Sequence, residues 1–258
     1  MQKIIKHSNT SDKTILFIHG FPFDHHMWKH QVNYFKKNYN CISYDIRGLG
    51  GSPAGNGQFT MEDLVDDLFD VILESGAVKP VICGLSMGGY IALRAVEKEE
   101  SKFKGLILCD TKSESDTNAA KLKRAAGIKF INENSGSEFS AVFVAECFSP
   151  DSIIRIEKEY NEILHRSVKT DPVGLKGCLL AMAGRTDTTG YLSQIKIPVL
   201  VLCGEEDNFA LPSVMHDMSA KIKQSEFHII SNAGHMSPIE NPVEVNQYIS
   251  GFLQKVFV

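Results

Sequence analysis

Gly84-Leu85-Ser86-Met87-Gly88-Gly89 joins a short apolar run, residues 80–83, to a stretch of helix-forming residues, 90–96. The serine therefore lies at a predicted junction between a strand and a helix. Small residues at Gly84 and Gly88 permit the sharp turn of a nucleophile elbow, which lifts a serine hydroxyl clear of a sheet. Glycine and serine are also common in ordinary turns, so the motif alone leaves a plain turn open as the alternative.

Apolar runs alternate with helical stretches on both sides of this turn. Strand and helix alternation predicts an α/β fold with a mostly parallel, doubly wound sheet. The predicted strands are Lys3–His7, Thr14–Ile18, Cys41–Tyr44, Val81–Cys83, Gly105–Cys109, Pro198–Cys203 and Glu226–Ile230. The predicted helices of this part are Met27–Lys37, a helix capped by Thr60 and Asp63 that ends at Gly76, one after Ser86, Pro212–Lys223 and Val243–Val256.

The alternation stops at Asp110 and resumes near residue 198. Residues 111–189 contain no convincing strand pattern and show only helical periodicity. The helical candidates are Ala119–Ile131, Glu138–Phe148, Ser152–Val168 and Val173–Met182. We therefore predict a core of residues 1–110 and 190–258, with residues 111–189 inserted as a helical cap, or lid, over one end of the sheet.

The composition excludes several classes of function. The chain has 258 residues, a formal net charge of -4 and 43% hydrophobic residues, which is typical of a globular protein without an electrostatic footprint for nucleic acid or membrane. Its six cysteines are scattered without a C-x-x-C pair, which argues against a zinc site and favours buried free thiols. No signal peptide or membrane span is evident. These features predict a cytoplasmic protein; its oligomeric state stays open.

Candidate catalytic residues follow the predicted strands. In a parallel sheet the loops after the strands gather on one rim, where ligands bind. Ser86, the acids Asp110 and Asp207, and His235 all fall in such loops. His235 is preferred among the nine histidines because a short loop precedes it and Met236-Ser237-Pro238 follows it, outside regular structure. The chain order Ser, Asp, His is that of the α/β-hydrolases.

The chain resembles the α/β-hydrolase superfamily over essentially its whole length. Within it, the resemblance is to small capped serine esterases, enol-lactonases and cofactor-free perhydrolases. One departure is that few residues precede the first strong strand, so the usual leading hairpin must be shortened. The motifs that carry the resemblance are His19-Gly20-Phe21-Pro22, residues 45–52, Gly84–Gly89, Gly204-Glu205-Glu206-Asp207 and Gly234-His235.

The resemblance implies a role for each site residue. Ser86 would be the nucleophile, His235 its base and Asp207 the acid that orients the imidazole, with Asp110 as the rival acid because some relatives use that position. The backbone N–H groups of Met87 and Phe21 would bind the oxyanion. The resemblance implies neither a metal nor a cofactor.

Several side chains near the rim have two possible roles. Trp28 either walls the substrate pocket or packs in the core. His19 is expected to support the backbone of its loop. Arg47 is expected to pair with Asp45 in a structural role, although binding of an acidic substrate is the alternative. Arg185 and Asp187 are expected to fix the cap to the core.

The predicted function is hydrolysis of a small-molecule ester, lactone or thioester through an acyl-enzyme on Ser86. The first alternative is a cofactor-free perhydrolase, in which peroxide replaces water and the triad is unchanged. The second is a receptor-type protein that keeps the triad but binds or only slowly cleaves its ligand. An aspartate in place of Ser86 would be needed for a haloalkane dehalogenase, which disfavours that activity.

Overall fold

Seven strands form one sheet in the order β1-β3-β2-β4-β5-β6-β7. The computed structural model describes residues 1–7 and 11–258. All neighbouring strands are parallel except β1, which pairs antiparallel with β3 at the edge. The strands are β1 (Ile4–His7), β2 (Thr14–Ile18), β3 (Asn40–Tyr44), β4 (Val81–Leu85), β5 (Gly105–Cys109), β6 (Val199–Gly204) and β7 (Ser225–Ile230).

The predicted mostly parallel, doubly wound α/β sheet is confirmed. Parallel sheets need apolar cover on both faces, and the strand side chains supply it in alternation. Leu16 packs into the apolar cluster on one face and Phe17 into the cluster on the other. Because β1 pairs with β3 rather than with β2, the first two strands of the chain do not form a hairpin with each other.

Helices cover both faces of the sheet. Leu64 and Ile91, from α2 and α3, pack on one face, while Val32 and Ile249, from α1 and α11, pack on the other. The helices of the core are α1 (Lys29–Phe35), α2 (Met61–Ser75), α3 (Met87–Glu99), α9 (Pro212–Ala220), α10 (Ser237–Glu240) and α11 (Pro242–Val256). Short 3-10 segments lie at His25–Trp28, Glu100–Lys102 and Thr189–Gln194.

Local chemistry sets the ends of α2 where the sequence predicts them. Thr60 accepts a hydrogen bond from the Asp63 N–H, and the Asp63 carboxylate accepts one from the Thr60 N–H. This reciprocal capping box satisfies two N–H groups that the helix itself cannot satisfy. Gly76 ends the helix with φ of 75°, a left-handed conformation that glycine adopts without steric cost.

Five further helices lie between β5 and β6 in the chain, and we call residues 111–189 the helical insertion. They are α4 (Asn118–Glu133), α5 (Gly136–Cys147), α6 (Pro150–Arg155), α7 (Glu157–Ser167) and α8 (Pro172–Ala183). The single helix predicted at Ser152–Val168 is wrong, because Ile156 has φ of -121° and ψ of 38° and separates α6 from α7.

The two residues predicted to fix the cap to the core have different outcomes. Arg185 packs over the ring of Tyr90 in α3, with its guanidinium carbon 4.0 Å from the ring centroid, and so links the insertion to a core helix. Asp187 instead accepts hydrogen bonds from the backbone N–H groups of Ser115 and Thr189, close to itself in space. The guanidinium therefore makes the contact with the core, and the carboxylate orders the chain near it.

All six cysteines are buried and unpaired, as the sequence predicts for free thiols. In the part of the chain that the structure describes, no helix has both the length and the apolar character needed to cross a bilayer. The cytoplasmic location stays a prediction.

Candidate active site

Ser86 occupies a strained turn between β4 and α3. Its φ of 52° and ψ of -115° lie outside the regions favoured by L-residues. A Cβ at Gly84 would lie 2.4 Å from the Gly88 carbonyl oxygen, and a Cβ at Gly88 would lie 2.3 Å from the Ile18 carbonyl oxygen. The close approach of three backbone segments therefore requires glycine at both positions, as a nucleophile elbow does.

The end of the neighbouring strand β5 and the residues after it hold this turn. The Ser86 N–H donates to the Cys109 carbonyl at 3.0 Å, and the Thr111 hydroxyl donates to the Ser86 carbonyl at 2.8 Å. The N–H of Met87 is at the first position of α3, where a helix provides no acceptor. That N–H group is consequently available to an anion at the helix N-terminus.

His235 and Asp207 form a buried hydrogen-bonded pair. The imidazole Nδ1 lies 2.8 Å from Asp207 Oδ2, and the two residues are 5% and 1% exposed. Asp207 Oδ1 accepts from the N–H groups of Phe209 and Ala210, at 2.7 and 3.0 Å, which fixes the plane of the carboxylate. A carboxylate on Nδ1 places the proton there and leaves Nε2 as the basic nitrogen.

The structure brings Ser86 to the same rim as this pair but gives no hydrogen bond between Ser86 Oγ and His235 among residues 1–7 and 11–258. Catalytic hydrogen bonds are often long in unliganded structures, so this geometry is compatible with a base that engages the serine when substrate binds. The three residues come from the ends of β4, β6 and β7.

Asp110, the rival acid, binds the strand ends rather than the histidine. Its carboxylate accepts from the Gly204 N–H at 2.7 Å and from the Ser237 hydroxyl at 2.5 Å. Complete burial, with the charge of Asp207 second, raises the pKa of the Asp110 carboxyl well above its usual value. Asp110 thus ties the loops of Asp207 and His235 to the end of β5, beside the elbow.

His19 shapes the loop that contains Phe21. Its Nε2 accepts from the Ile46 N–H at 2.8 Å, so the proton is on Nδ1, which donates to the Gly20 carbonyl at 2.8 Å. Full burial lowers the pKa of His19 and keeps this neutral form. The predicted backbone-supporting role of His19 is therefore confirmed.

The same loop lies against the elbow. A Cβ at Gly20 would lie 3.3 Å from the Cβ of Ser86, so the two turns are in close contact. Phe21 follows immediately and is linked to Pro22 by a cis peptide bond. Because Phe21 follows Gly20, its backbone lies near the serine, and its role as an oxyanion donor stays a prediction.

The predicted pairing of Arg47 with Asp45 is wrong. Arg47 makes a bidentate pair with Asp67 of α2, at 2.8 and 2.6 Å, because the helix presents that carboxylate across the loop. Asp45 instead accepts from the N–H and Nδ1 of His25 and from the Gly51 N–H. Burial alone would raise the pKa of the Asp45 carboxyl, but the hydrogen bonds from His25 outweigh it and lower that pKa below its usual range.

Trp28 is completely buried and packs against Phe17, with ring centroids 5.1 Å apart. It belongs to the apolar cluster on the α1 and α11 face of the sheet. Of the two roles open for Trp28, its position matches core packing and not a pocket wall.

A cavity of about 480 Å³ lies between the insertion and the candidate catalytic loops. The Phe209 ring contacts the His235 ring in a tilted arrangement with centroids 5.0 Å apart, and Phe143 contacts both Phe209 and Phe21, at 5.5 and 5.2 Å. Both phenylalanines line the cavity, and through them it lies next to His235 and Phe21, which do not line it themselves. Sequence reasoning missed both; for Phe209 the available signal was its position two residues after Asp207.

Two groups of metal-ligand side chains are close together in the described ranges 1–7 and 11–258. In the first group both imidazoles already pair with a carboxylate. In the second group each side chain hydrogen bonds within the protein. We therefore place no metal on either group, and the expectation that no metal or cofactor is needed stays a prediction. The groups are Asp24, His25 and His26, and Asp110, Cys203 and Asp207.

Comparisons with known proteins agree on one fold. Residues 13–242 match the sequence profile of a family described as alpha/beta hydrolase fold. The structure is similar to that of a malate-bound thermophilic esterase from Thermogutta terrifontis, with a TM-score of 0.94, 32% identity, and coverage of 100% of this chain and 94% of that one. A 3-oxoadipate enol-lactonase from Acinetobacter baylyi is 26% identical over 242 residues, which span 94% of this chain and 89% of the relative. A protein of Synechocystis that is provisionally named a non-heme chloroperoxidase is 27% identical over 252 residues, spanning 93% and 91%.

Proposed function

The chain belongs to the alpha/beta-hydrolase fold family, and within this family we propose that it is a serine hydrolase that cleaves a small carboxylic ester, lactone or thioester. The buried pair of His235 and Asp207, on the same rim as the strained elbow at Ser86, is the main support. The esterase and enol-lactonase named above support the reaction class.

The proposed reaction proceeds through an acyl-enzyme. His235 Nε2 takes the proton of the Ser86 hydroxyl as the oxygen attacks the carbonyl carbon. The tetrahedral intermediate carries a negative oxygen, which the N–H groups of Met87 and Phe21 stabilise. The intermediate collapses, the C–O or C–S bond to the leaving group breaks, and His235 returns the proton to that group. Water, deprotonated by the same nitrogen, then attacks the acyl carbon; the C–O bond to Ser86 breaks, His235 returns the proton to the Ser86 oxygen, and the acid leaves.

Asp207 acts through His235. Its carboxylate holds the proton on Nδ1 and stabilises the imidazolium that forms during each proton transfer. We place the helical insertion over this site as a cap: its residue Phe143 contacts the oxyanion loop and the Phe209 ring, which encloses the acyl group and excludes water.

A second candidate function, that of a perhydrolase, has a specific observation in its favour. The relatedness to the Synechocystis protein favours a perhydrolase, in which hydrogen peroxide attacks the acyl-enzyme and the product is a peracid. The acylation half of the reaction is the same, so the two candidates differ only in the acceptor.

Replacement of Ser86 tests the proposal directly. Ser86→Ala should reduce hydrolysis of p-nitrophenyl acetate or butyrate by roughly four to six orders of magnitude while the protein stays folded. A fluorophosphonate probe should label wild-type protein at Ser86, by peptide mapping, and fail to label the variant. Ser75→Ala, in the last turn of α2, is the matched control and should behave as wild type. Wild-type turnover by Ser86→Ala would contradict the proposal. Peroxide in the assay separates the candidates, because a perhydrolase yields peracid in preference to acid.

A further inference from the structure

Lys112 directly follows a residue that holds the Ser86 turn, and in the described part of the chain no countercharge contacts its ammonium. Thr111, the residue before it, donates its hydroxyl to the Ser86 carbonyl. Lys112 is about half-buried and lines the cavity between the insertion and the catalytic loops. Within residues 1–7 and 11–258, the Lys112 ammonium has neither an ion-pair nor a hydrogen-bond partner.

The carboxylates near Lys112 are directed to other groups or stay out of contact. Asp116, also in the cavity wall, accepts from Arg185 at 2.6 Å and from Arg124 at 3.1 Å. Glu114 has its buried Oε2 without a hydrogen-bond partner in the described structure, and it does not form an ion pair with the lysine. The cations in this group are Lys112, Arg124 and Arg185. Its carboxylates are those of Asp116 and Glu114, so the group keeps a net positive charge.

Burial of an ammonium without a partner is unfavourable, and the Lys112 ammonium is half-buried in this way. Desolvation, and after it the charge of Arg185, lowers the pKa of Lys112, although Asp116 and Glu114 oppose this shift in part. A bound anion would supply the missing charge and hydrogen bonds. The cation is therefore available to a ligand.

The rest of the cavity wall favours a ligand with an apolar body. The wall contains Phe139, Phe143, Phe209 and Leu179, and the Phe209 ring contacts that of His235. A volume of about 480 Å³ fits a small molecule. The cavity thus combines an apolar wall beside the base with a positive charge two residues beyond Asp110.

We propose that Lys112 determines specificity by binding a carboxylate of the substrate, so that the preferred substrates are anionic esters or lactones: half-esters of dicarboxylic acids, or lactones that carry a carboxylate. The inference rests on the proposed hydrolase function. The reacting ester lies at Ser86, and the remote carboxylate lies against Lys112, with the intervening carbons along the phenylalanines.

Matched esters test this role. The p-nitrophenyl half-esters of succinate and glutarate are compared with p-nitrophenyl butyrate and valerate, which have a similar length and no charge. Wild-type protein should show a higher kcat/KM for the half-esters. Lys112→Met should lower the ratio of charged to neutral kcat/KM by about 10- to 100-fold, mainly through KM, because one charge-assisted contact is lost. Lys112→Arg should restore most of that ratio.

A control variant and the remaining outcomes distinguish failure of the Lys112 role from failure of the proposed hydrolase function. Lys129→Met, on α4 beside Glu133 and highly exposed, should leave the ratio unchanged. Equal loss for charged and neutral esters in Lys112→Met would indicate a merely structural lysine and overturn the inference. Preference for neutral esters in wild type would also overturn it, with the hydrolase function intact. Absence of turnover for both ester classes would refute the hydrolase function itself.

Discussion

Replacement of Asp207 by asparagine changes one atom of the candidate site and tests the proposed proton path. Oδ1 of Asp207 accepts two backbone hydrogen bonds, from Phe209 and Ala210. In Asp207→Asn the side-chain oxygen must keep that position, because an NH2 group there would face two N–H donors. The amide nitrogen is consequently turned toward His235 Nδ1, 2.8 Å away in the wild type.

In Asp207→Asn the side-chain amide donates a hydrogen bond to His235 Nδ1, whereas the wild-type carboxylate accepts one from it. To accept that hydrogen bond, Nδ1 must lose its proton, and the neutral imidazole carries it on Nε2 instead. A protonated Nε2 cannot take the proton of Ser86. We expect a loss of about 10⁴-fold in kcat, or roughly 5.5 kcal/mol of transition-state stabilisation, with little change in fold.

Asp110→Asn is the matched control. The pKa of Asp110 is raised by burial and by Asp207, which favours its neutral form. An asparagine amide can keep both contacts: its oxygen accepts from the Gly204 N–H, and its nitrogen donates to the Ser237 oxygen once that hydroxyl rotates, as the O–H of a neutral Asp110 would. Turnover of this variant should stay within about tenfold of wild type. The measurement is kcat for hydrolysis of p-nitrophenyl butyrate by both variants. A larger loss of kcat in Asp110→Asn than in Asp207→Asn would refute the reasoning.

Two predictions concern stability. Gly88→Ala should destabilise the protein by about 2 kcal/mol or more and abolish turnover, because its Cβ would lie 2.3 Å from the Ile18 carbonyl oxygen; Gly190→Ala, with open space around the Cβ, should match wild type in urea unfolding. Asp45→Asn should cost about 2 to 3 kcal/mol near neutral pH, because a buried carboxylate loses charge-assisted bonds. Since the folded-state pKa of Asp45 is lowered, its contribution is complete above the unfolded value, near 4, and declines as the pH falls further. In urea unfolding from pH 7 to pH 3, the stability difference between wild type and variant should therefore narrow below about pH 4, and a constant difference would contradict this sign.

Local rules were sufficient for the elements whose causes are local. The capping box of Thr60 and Asp63, the stop at Gly76 and the alternation of apolar runs depend on residues within one or two turns of each other. The gathering of Ser86, Asp207 and His235 on one rim follows from parallel topology, which the alternation implies, whereas the order of the strands does not.

Features that depend on distant packing could not be predicted. Arg47 is two residues from Asp45 in sequence, yet it pairs with Asp67, which a helix brings across the loop. In sequence Lys112 is an ordinary loop lysine, and only the fold shows that the nearby Asp116 carboxylate pairs with Arg124 and Arg185 instead. The composition of the insertion indicated helices but not which side chains face the cavity.

The loop that contains His235 depends on the helical insertion for its position. Arg155 of α6 donates to the carbonyls of Asn232 and Glu240, at 2.8 and 2.7 Å, on either side of the histidine. The His235 N–H itself donates to the carbonyl of Cys147, at the end of α5, at 3.0 Å. The insertion therefore holds the candidate base as well as forming the cavity wall. A change in the insertion that reshapes the cavity will also act on the distance between the base and the nucleophile, so substrate range and turnover cannot be varied independently unless these three hydrogen bonds are kept.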